Sequence, residues 1–230
     1  MLTSGRAALP ARGVQALPAA LAKHGALHPN TPVMDLVGDE QRVLGVRTSH
    51  ATIHGSAVVV ARDGDATARL TNIGAPRVTL GSTTVCLAGQ QQPYRQKLLV
   101  LNALPEPLVN DTTLLTNIAP EYAPAGWHLL AAHVLDTADL DDSEIDARVR
   151  NDLSRIFPHV NTSAFRTLQV VRTPHSQFAQ LPGAGVVATR TSSRGLYVAG
   201  EITEDSSVNG ALRSGFAAAR SVSAELLPTT

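Results

Sequence analysis

Apolar residues along the chain fall into two kinds of spacing, and each predicts its own element. Near the start, Val14, Leu17 and Leu21 recur at helical spacing and predict a helix over residues 13–24. Pro18 is compatible only with a position near the first turn, so the regular helix begins close to it. The next block reads as a meander. Val33, Leu36 and Val37 predict one strand, Gly38-Asp39 a turn, Val43–Val46 a second strand and Ala51–His54 a third. Ala57–Ala61 is an unbroken apolar run, as expected of a strand buried on both faces.

The middle is dominated by strand signals. "RVTLGSTTVCLAG" (77–89), "KLLVLNAL" (97–104), "TTLLTNI" (112–118) and "GWHLLAAHVL" (126–135) are rich in Val, Leu and Thr and separated by Pro, Gly and Asn. One helix interrupts them. Within 141–158, Ile145, Val149, Leu153 and Ile156 form a stripe, with Arg148, Arg150, Asp152 and Arg155 facing away. Ser143 reads as its N-cap, with Asp146 three residues on, and Pro158 closes it. "FRTLQVVRT" (165–173) predicts a further strand, and a Pro- and Gly-containing stretch (174–185) leads to a closing strand, Leu196–Ala199, and a final helix. The order predicts α/β plus α+β character: a domain formed by 1–70 and 186–230, interrupted by a mixed-sheet insertion over 71–185.

Composition narrows the function classes. Across 230 residues the chain is 43% hydrophobic, enough for a real core, and only 17% charged with zero formal net charge. Nucleic-acid binding needs clustered Lys and Arg, and the chain has two lysines, Lys23 and Lys97, so no nucleic-acid partner is expected. Cys86 is the only cysteine, so no internal disulfide forms and a reducing, cytoplasmic location is expected. The apolar runs fall far short of the roughly 20 residues that span a bilayer, so no integral membrane segment is expected. "MLTSGRAALPARG" carries no apolar leader core.

The closing segment carries the chemistry. Gly200, after the apolar strand, allows a tight turn and close approach of a ligand to backbone. Glu201 stands at the carboxyl end of that strand, the edge at which open α/β sheets bind ligands. Ser206 and Ser207 are N-cap candidates for the following helix, whose first-turn N–H groups and partial positive charge suit an anionic or carbonyl-bearing ligand. Gly210, Ser214 and Ala218 share one face at four-residue spacing, with Ala211 and Gly215 beside it. So smooth a face admits either a flat ring or another stretch of backbone.

"LYVAGE" followed by "SVNGALRSGFAAA" resembles the C-terminal flavin-binding motif of the FAD-dependent amine oxidase and phytoene desaturase superfamily, an apolar strand ending Ala-Gly-Asp, a loop, then Ser-x-x-Gly-Ala-x-x-Ser-Gly-x-x-Ala-Ala. "LPARGVQALPAALAKHG" is similar to that family's turn and helix, residues 30–70 to its meander, and "APEYAPAGWHLLAAHVL" to a substrate-domain segment of the carotenoid-desaturase-like branch. The resemblance implies a partial FAD/NAD(P)-binding, Rossmann-like domain interrupted by a substrate domain. It implies FAD as cofactor and hydride transfer from a substrate C–H bond to flavin, with a small apolar or amine substrate. It implies that Glu201 contacts the ribityl chain, that Ser207, Val208, Asn209 and Gly210 lie at the isoalloxazine beside Gly200, and that Val33 lies near adenine. It makes His175 a substrate-facing candidate, against the alternative of a solvated loop histidine. Glu201 stands where Asp is commoner, and Phe216 where Arg is frequent. The resemblance assigns no catalytic acid or base.

The strand–GxGxxG–helix unit that holds the pyrophosphate in such proteins is not matched. "GAGVVA" (183–188) follows Pro182 and precedes "TRTSSRG", with no strand before it and no room for a helix after it. The resemblance therefore implies a truncated or split form that binds FAD weakly or not at all by itself and either self-associates or pairs with a dinucleotide-binding half. The alternative is a non-catalytic remnant or subunit. His24/His28 and His50/His54 have zinc-like spacing without a third ligand, and the Asp139, Asp141, Asp142, Glu144 cluster lacks the EF-hand pattern, so no metal is expected. Cys86, in an alternating strand, reads as buried, and the absence of GxSxG gives no support to a serine hydrolase.

Overall fold

The computed structural model describes residues 8–227 except Glu40, Arg77, Asp136, Ala138 and Ala184. The leader reading of residues 1–7 and part of the 77–89 and 183–188 readings lie outside the described residues. In chain order the elements are α1 (Ala16–Ala22), β1 (Val33–Gly38), β2 (Val43–Thr48), β3 (Thr52–His54), β4 (Val58–Ala61), α2 (Gly64–Thr71), β5 (Thr79–Gly89), β6 (Leu99–Leu101), β7 (Val109–Leu114), α3 (Leu115–Ile118), β8 (His128–Val134), α4 (Asp142–Ile156), β9 (Arg166–Phe178), β10 (Leu196–Ala199) and α5 (Val208–Leu226). Two compact units result. One comprises the residues up to Leu27 with Gly81–Pro174, the other His28–Leu80 with the residues from His175 onward.

The first unit is a five-stranded sheet, order β6-β7-β8-β5-β9, with α4 against one face. Strand alternation sends Val85, Leu87, Leu130, Ala132 and Val134 to that face, where they meet Ile145, Val149 and Leu153 of the helix stripe. Each of these three helix residues is essentially buried, and each contributes about 1.5–3 kcal/mol on leaving water. The helix begins two residues earlier than its sequence indicates. Asp141, not Ser143, is the N-cap; it accepts from Ser143 and Glu144 N–H while Glu144 reaches back, a complete capping box. Two of the outward-facing residues turn inward. Asp152 is 3% exposed and accepts the N–H groups of Leu108 and Val109 at 2.8 and 2.9 Å. Arg150 donates to the Phe165 carbonyl and to Thr167, locking α4 to β9. Polarity alone assigned both residues to solvent, but each satisfies backbone or side-chain groups that the loops bring to the helix.

Two further differences have local causes. "TTLLTNI" ends its strand at Leu114 and turns into α3, because Asn117 Nδ2 donates to the carbonyls of Tyr94 and Gln96 and pins a helical turn. Helix α1 forms, with Pro18 as its third residue, but its stripe of Val14, Leu17 and Leu21 is not buried.

In the second unit, β1-β2-β3 form the antiparallel meander. Asp39 Oδ1 accepts from the N–H groups of Gln41 and Arg42 and shapes the β1–β2 turn. β4 pairs in parallel with β10, Val58 opposite Leu196 through Ala61 opposite Ala199. The other edge of β10 is occupied: Val198 N–H donates to the Thr189 carbonyl, and Arg190 bridges Tyr197. Residues 189 and 190 thus lie beside β10. β4 is not buried on both faces as its apolar run implied; Val60 is buried, but Val59 is 41% exposed. Each parallel strand feeds a helix, β4 into α2 and β10 into α5, so both helix starts lie at the carboxyl edge of the pair.

Candidate functional site at the carboxyl edge of the parallel strands

The site is built from the turns that follow β4 and β10. After β4, Arg62 leads to Asp63, whose Oδ1 accepts from Ala66 N–H at 2.8 Å and caps α2. That bond, with the Arg62 guanidinium as a smaller contributor, holds the Asp63 carboxyl below the usual range. After β10, Gly200 takes φ +126°, a conformation that L side chains rarely adopt. A Cβ there would also lie 3.2 Å from the Arg62 carbonyl oxygen, so a small residue is required where the two turns approach. Glu201 opens a 3-10 turn and accepts a hydrogen bond from Ser206 Oγ. Ser207 caps α5, accepting from Gly210 N–H at 2.9 Å, and its own hydroxyl donates to Asp205. Ser207 and the Arg213 guanidinium together hold the Asp205 carboxyl below its ordinary value.

Between these turns lies a cavity of about 730 Å³, within the range of about 300–1,000 Å³ typical of small-molecule sites. Gly200, Glu201, Ser206, Ser207, Val208 and Ala211 wall one side, and Arg62 and Asp63 the other. The N–H groups of Val208 and Asn209, in the first turn of α5, have no intrahelical acceptor and give this end its partial positive charge. The mixture of first-turn N–H groups, one guanidinium and two carboxylates suits a ligand with both acceptor atoms and hydroxyl groups.

The residues singled out from the sequence divide as follows. Gly200, Glu201, Ser207 and Val208 share the cavity wall. Asn209 and Gly210 are not part of it; Gly210 is buried, and a Cβ there would run into the Asp205 carbonyl oxygen. Val33 lies on β1 and lines a second hollow of about 680 Å³ with Met34, Leu36, Val59 and Leu70. The two hollows share Ala61 and Arg62 at the end of β4. His175 lies on β9 rather than in a loop, and its Nδ1 is 2.8 Å from Thr79 Oγ1. It does not line the cavity, whereas its neighbours Ser176 and Gln177 do.

The smooth face of α5 packs against protein. Ser214 is fully buried, Ala218 nearly so, and Ser214 Oγ bonds the Gly200 N–H and Thr203 Oγ1. Of the two readings of that face, the structure contains the close approach of backbone. Phe216 points to solvent. Arg62, Asp63, Ser176 and Gln177 are cavity residues that sequence reasoning missed. "VVVARDGDATARL" held the signal for the first two, an apolar strand followed directly by an Asp N-cap and an Asp65–Arg69 pair on a short helix.

A parallel strand pair with a ligand-sized cavity at its carboxyl edge is the arrangement in which open α/β sheets bind ligands. Comparison makes this specific. The family model described as flavin containing amine oxidoreductase matches residues 1–223, and the chain belongs to that family. Among solved structures, a candidate protoporphyrinogen oxidase from Exiguobacterium sp. 255-15 is similar at TM-score 0.73 and 16% identity, over 94% of this chain and 52% of that one. An oxidoreductase from Methanosarcina mazei is similar at TM-score 0.67 and 18% identity, over 91% and 53%. An FAD dependent oxidoreductase from Pseudomonas aeruginosa is similar at 0.60 and 12%, over 94% and 58%. At these identities the likeness is one of fold, mixed α/β with a Rossmann-like part. The chain spans about half the length of the structures it matches. No curated protein sequence matches it. Among the described residues no helix is long and apolar enough to cross a membrane, and no group of three or more His, Cys, Asp or Glu side chains is placed to hold a metal.

Proposed function

We propose that this chain is the substrate-binding and closing FAD portion of a flavin-dependent oxidoreductase, acting in the cytoplasm on a small apolar or amine substrate. The observation that carries the reading is the cavity in which Gly200, Glu201, Ser207, Val208 and Arg62 converge at the carboxyl edge of β4 and β10. The residues at the cavity fit the cofactor: Glu201 has carboxylate capacity beyond its bond to Ser206 for ribityl hydroxyls, and the Val208 N–H suits a carbonyl oxygen. The hollow beneath Val33 adjoins the same end of β4, which supports an elongated ligand.

Bound flavin supplies the hydride acceptor for oxidation of a substrate C–H bond. The chain's residues hold and orient. Gly200 permits close approach, the capped start of α5 presents donors that need no reorganisation, and Asp63 fixes the opposite wall.

A split or truncated form is part of the proposal. Val58 N–H donates to the Gly195 carbonyl on the β10 side, so strand alternation turns the backbone groups of Val59 and Ala61 to the other edge. Parallel sheets normally have both faces covered. Among the described residues β4 pairs only with β10, and its other edge with the apolar hollow beside it suits one more parallel strand, supplied by a dinucleotide-binding segment.

The test is an FAD titration of the ¹⁵N-labelled chain together with its visible absorption spectrum. Weak or no binding by the chain alone, becoming tight and moving the Gly200 and Val208 amides when a GxGxxG-bearing segment is supplied, supports the proposal. Amides that stay unmoved with that segment present overturn the cofactor site. A yellow protein with stoichiometric flavin overturns the split form alone.

A further inference from the structure

A further cavity, of about 470 Å³, lies wholly within the first unit, and it shares no residue with the cavity at the end of β4 and β10. Its polar and aromatic lining is Gln92, Thr116, Glu121, Trp127 and His128; prolines, alanines and a glycine supply the rest.

The stretch "PEYAPAGWH" (120–128) builds most of this place. Trp127 N–H donates to the Pro124 carbonyl at 3.0 Å, and Gly126 takes φ +78°. Both fit a type II turn over 124–127, whose third position needs positive φ and so favours glycine. The turn sets Trp127 directly before β8, where it is 42% exposed. Pro120–Tyr122 form a 3-10 turn that leaves Glu121 on the surface, and the Tyr122 hydroxyl fastens that turn by donating to the Pro10 carbonyl at 2.9 Å. Gln92 Nε2 donates to Asn117 Oδ1 at 2.8 Å, which orients the amide and leaves its Oε1 as an acceptor. Thr116 Oγ1 accepts from the Leu129 N–H at 3.3 Å and holds α3 against the start of β8.

The chemistry of the walls selects a ligand class. The indole offers a broad, flat apolar face that is still partly in water. Beside it stand acceptors, the Glu121 carboxyl oxygens and Gln92 Oε1. Among the described residues that line the cavity there is no Lys or Arg, so no cationic side chain there favours an anion. A purely apolar ligand would take water from those acceptors and return no donor. A linear polyol would leave the indole face uncovered. A pyranose ring answers both demands, because its axial C–H groups make one face apolar while its rim of hydroxyls donates. Two neighbouring hydroxyls also match the two oxygens of one carboxyl group. We infer that this cavity binds a neutral pyranose sugar, with its apolar face stacked on Trp127 and its hydroxyls donating to Glu121 and Gln92. The site is separate from the flavin cavity and does not rest on the flavoenzyme reading.

Trp127 is the only tryptophan of the chain, so intrinsic tryptophan fluorescence of the full chain reads this site directly. The probe is methyl β-glucopyranoside, titrated without flavin. Sorbitol supplies hydroxyls without a flat face, and cyclohexanol a ring without the hydroxyl rim. The glucoside shifts the emission saturably, and the two controls do not. Glu121→Ala, at an exposed residue, weakens the glucoside about tenfold, the loss expected for removal of one hydrogen-bonding partner. Should that variant not fold, Gln92→Ala carries the same comparison. No saturable shift, an equal response to either control, or unchanged affinity in a folded variant overturns the site. A shift produced by tetramethylammonium in place of the glucoside also overturns it, since the indole would then serve a cation. Flavin is absent throughout, so failure here is separate from failure of the FAD titration.

Discussion

Ser214, fully buried on α5, accepts the backbone N–H of Gly200 at 2.8 Å and sits 2.6 Å from Thr203 Oγ1. One hydroxyl thus ties the final helix to the turn at the end of β10 and fixes one wall of the cavity. Ser214→Ala takes the side-chain partner from the Gly200 N–H and leaves the Thr203 hydroxyl only its bond to the Gly200 carbonyl. The expected cost is about 1–3 kcal/mol, read as a lower urea midpoint with an unchanged slope. A variant as stable as the parent would show that the bond does not hold the turn.

Two glycines on α5 make a matched pair. A Cβ at Gly210 would meet the Asp205 carbonyl, whereas one at Gly215 meets nothing within 4 Å. Gly215→Ala is therefore expected to stabilise by about 0.5–1 kcal/mol through helix propensity. Gly210→Ala is expected to destabilise by about 1–3 kcal/mol despite the same propensity gain, because the 204–207 turn must move. Thermal unfolding of the two variants side by side decides it; shifts of the same sign would sink the packing argument.

The sequence was most legible where one periodicity ran unopposed. The α4 stripe of Ile145, Val149 and Leu153, the meander and the closing strand and helix all follow from apolar spacing plus caps. It was least legible where a side chain's partner is distant in sequence. Asp152 reads as solvent-facing until the backbone of Leu108 and Val109 is brought to it, and Asn117 reads as strand until Tyr94 and Gln96 pin it. The cavity was half legible for the same reason. The β10 side carries a recognisable motif, but the role of Arg62 and Asp63 depends on β4 lying parallel to β10, which no local pattern states.

Asp152 supplies a direct measure of such a distant partner. Its Oδ2 takes both N–H groups at the start of β7, with Arg155 3.6 Å from the other oxygen. Asp152→Ala strands two backbone donors and is expected to cost about 3–5 kcal/mol, whereas Asp152→Asn, which keeps one acceptor oxygen, should cost less. Denaturant unfolding that ranks Asn below Ala in stability would refute this account of the site.

Asp63 gives the pH dependence of the cavity wall. Its carboxyl is held below 3.8, first by the Ala66 N–H and then by the positive charge of Arg62 and His175. A carboxyl whose folded value is depressed contributes stability that is fully present above its unfolded value. That contribution is lost as pH falls through the folded value, because the unfolded chain takes up the proton first. The Asp63 side chain is partly exposed, so the effect is set by the cap rather than by buried charge. Asp63→Ala is expected to cost about 1 kcal/mol near neutral pH. The gap between variant and parent should hold steady down to the ordinary carboxylate range and narrow below it, as the parent's own carboxyl protonates. Urea unfolding of both proteins at neutral pH and near pH ~3 measures that gap. A gap that widens on acidification would mean that Asp63 does not cap α2 as an anion.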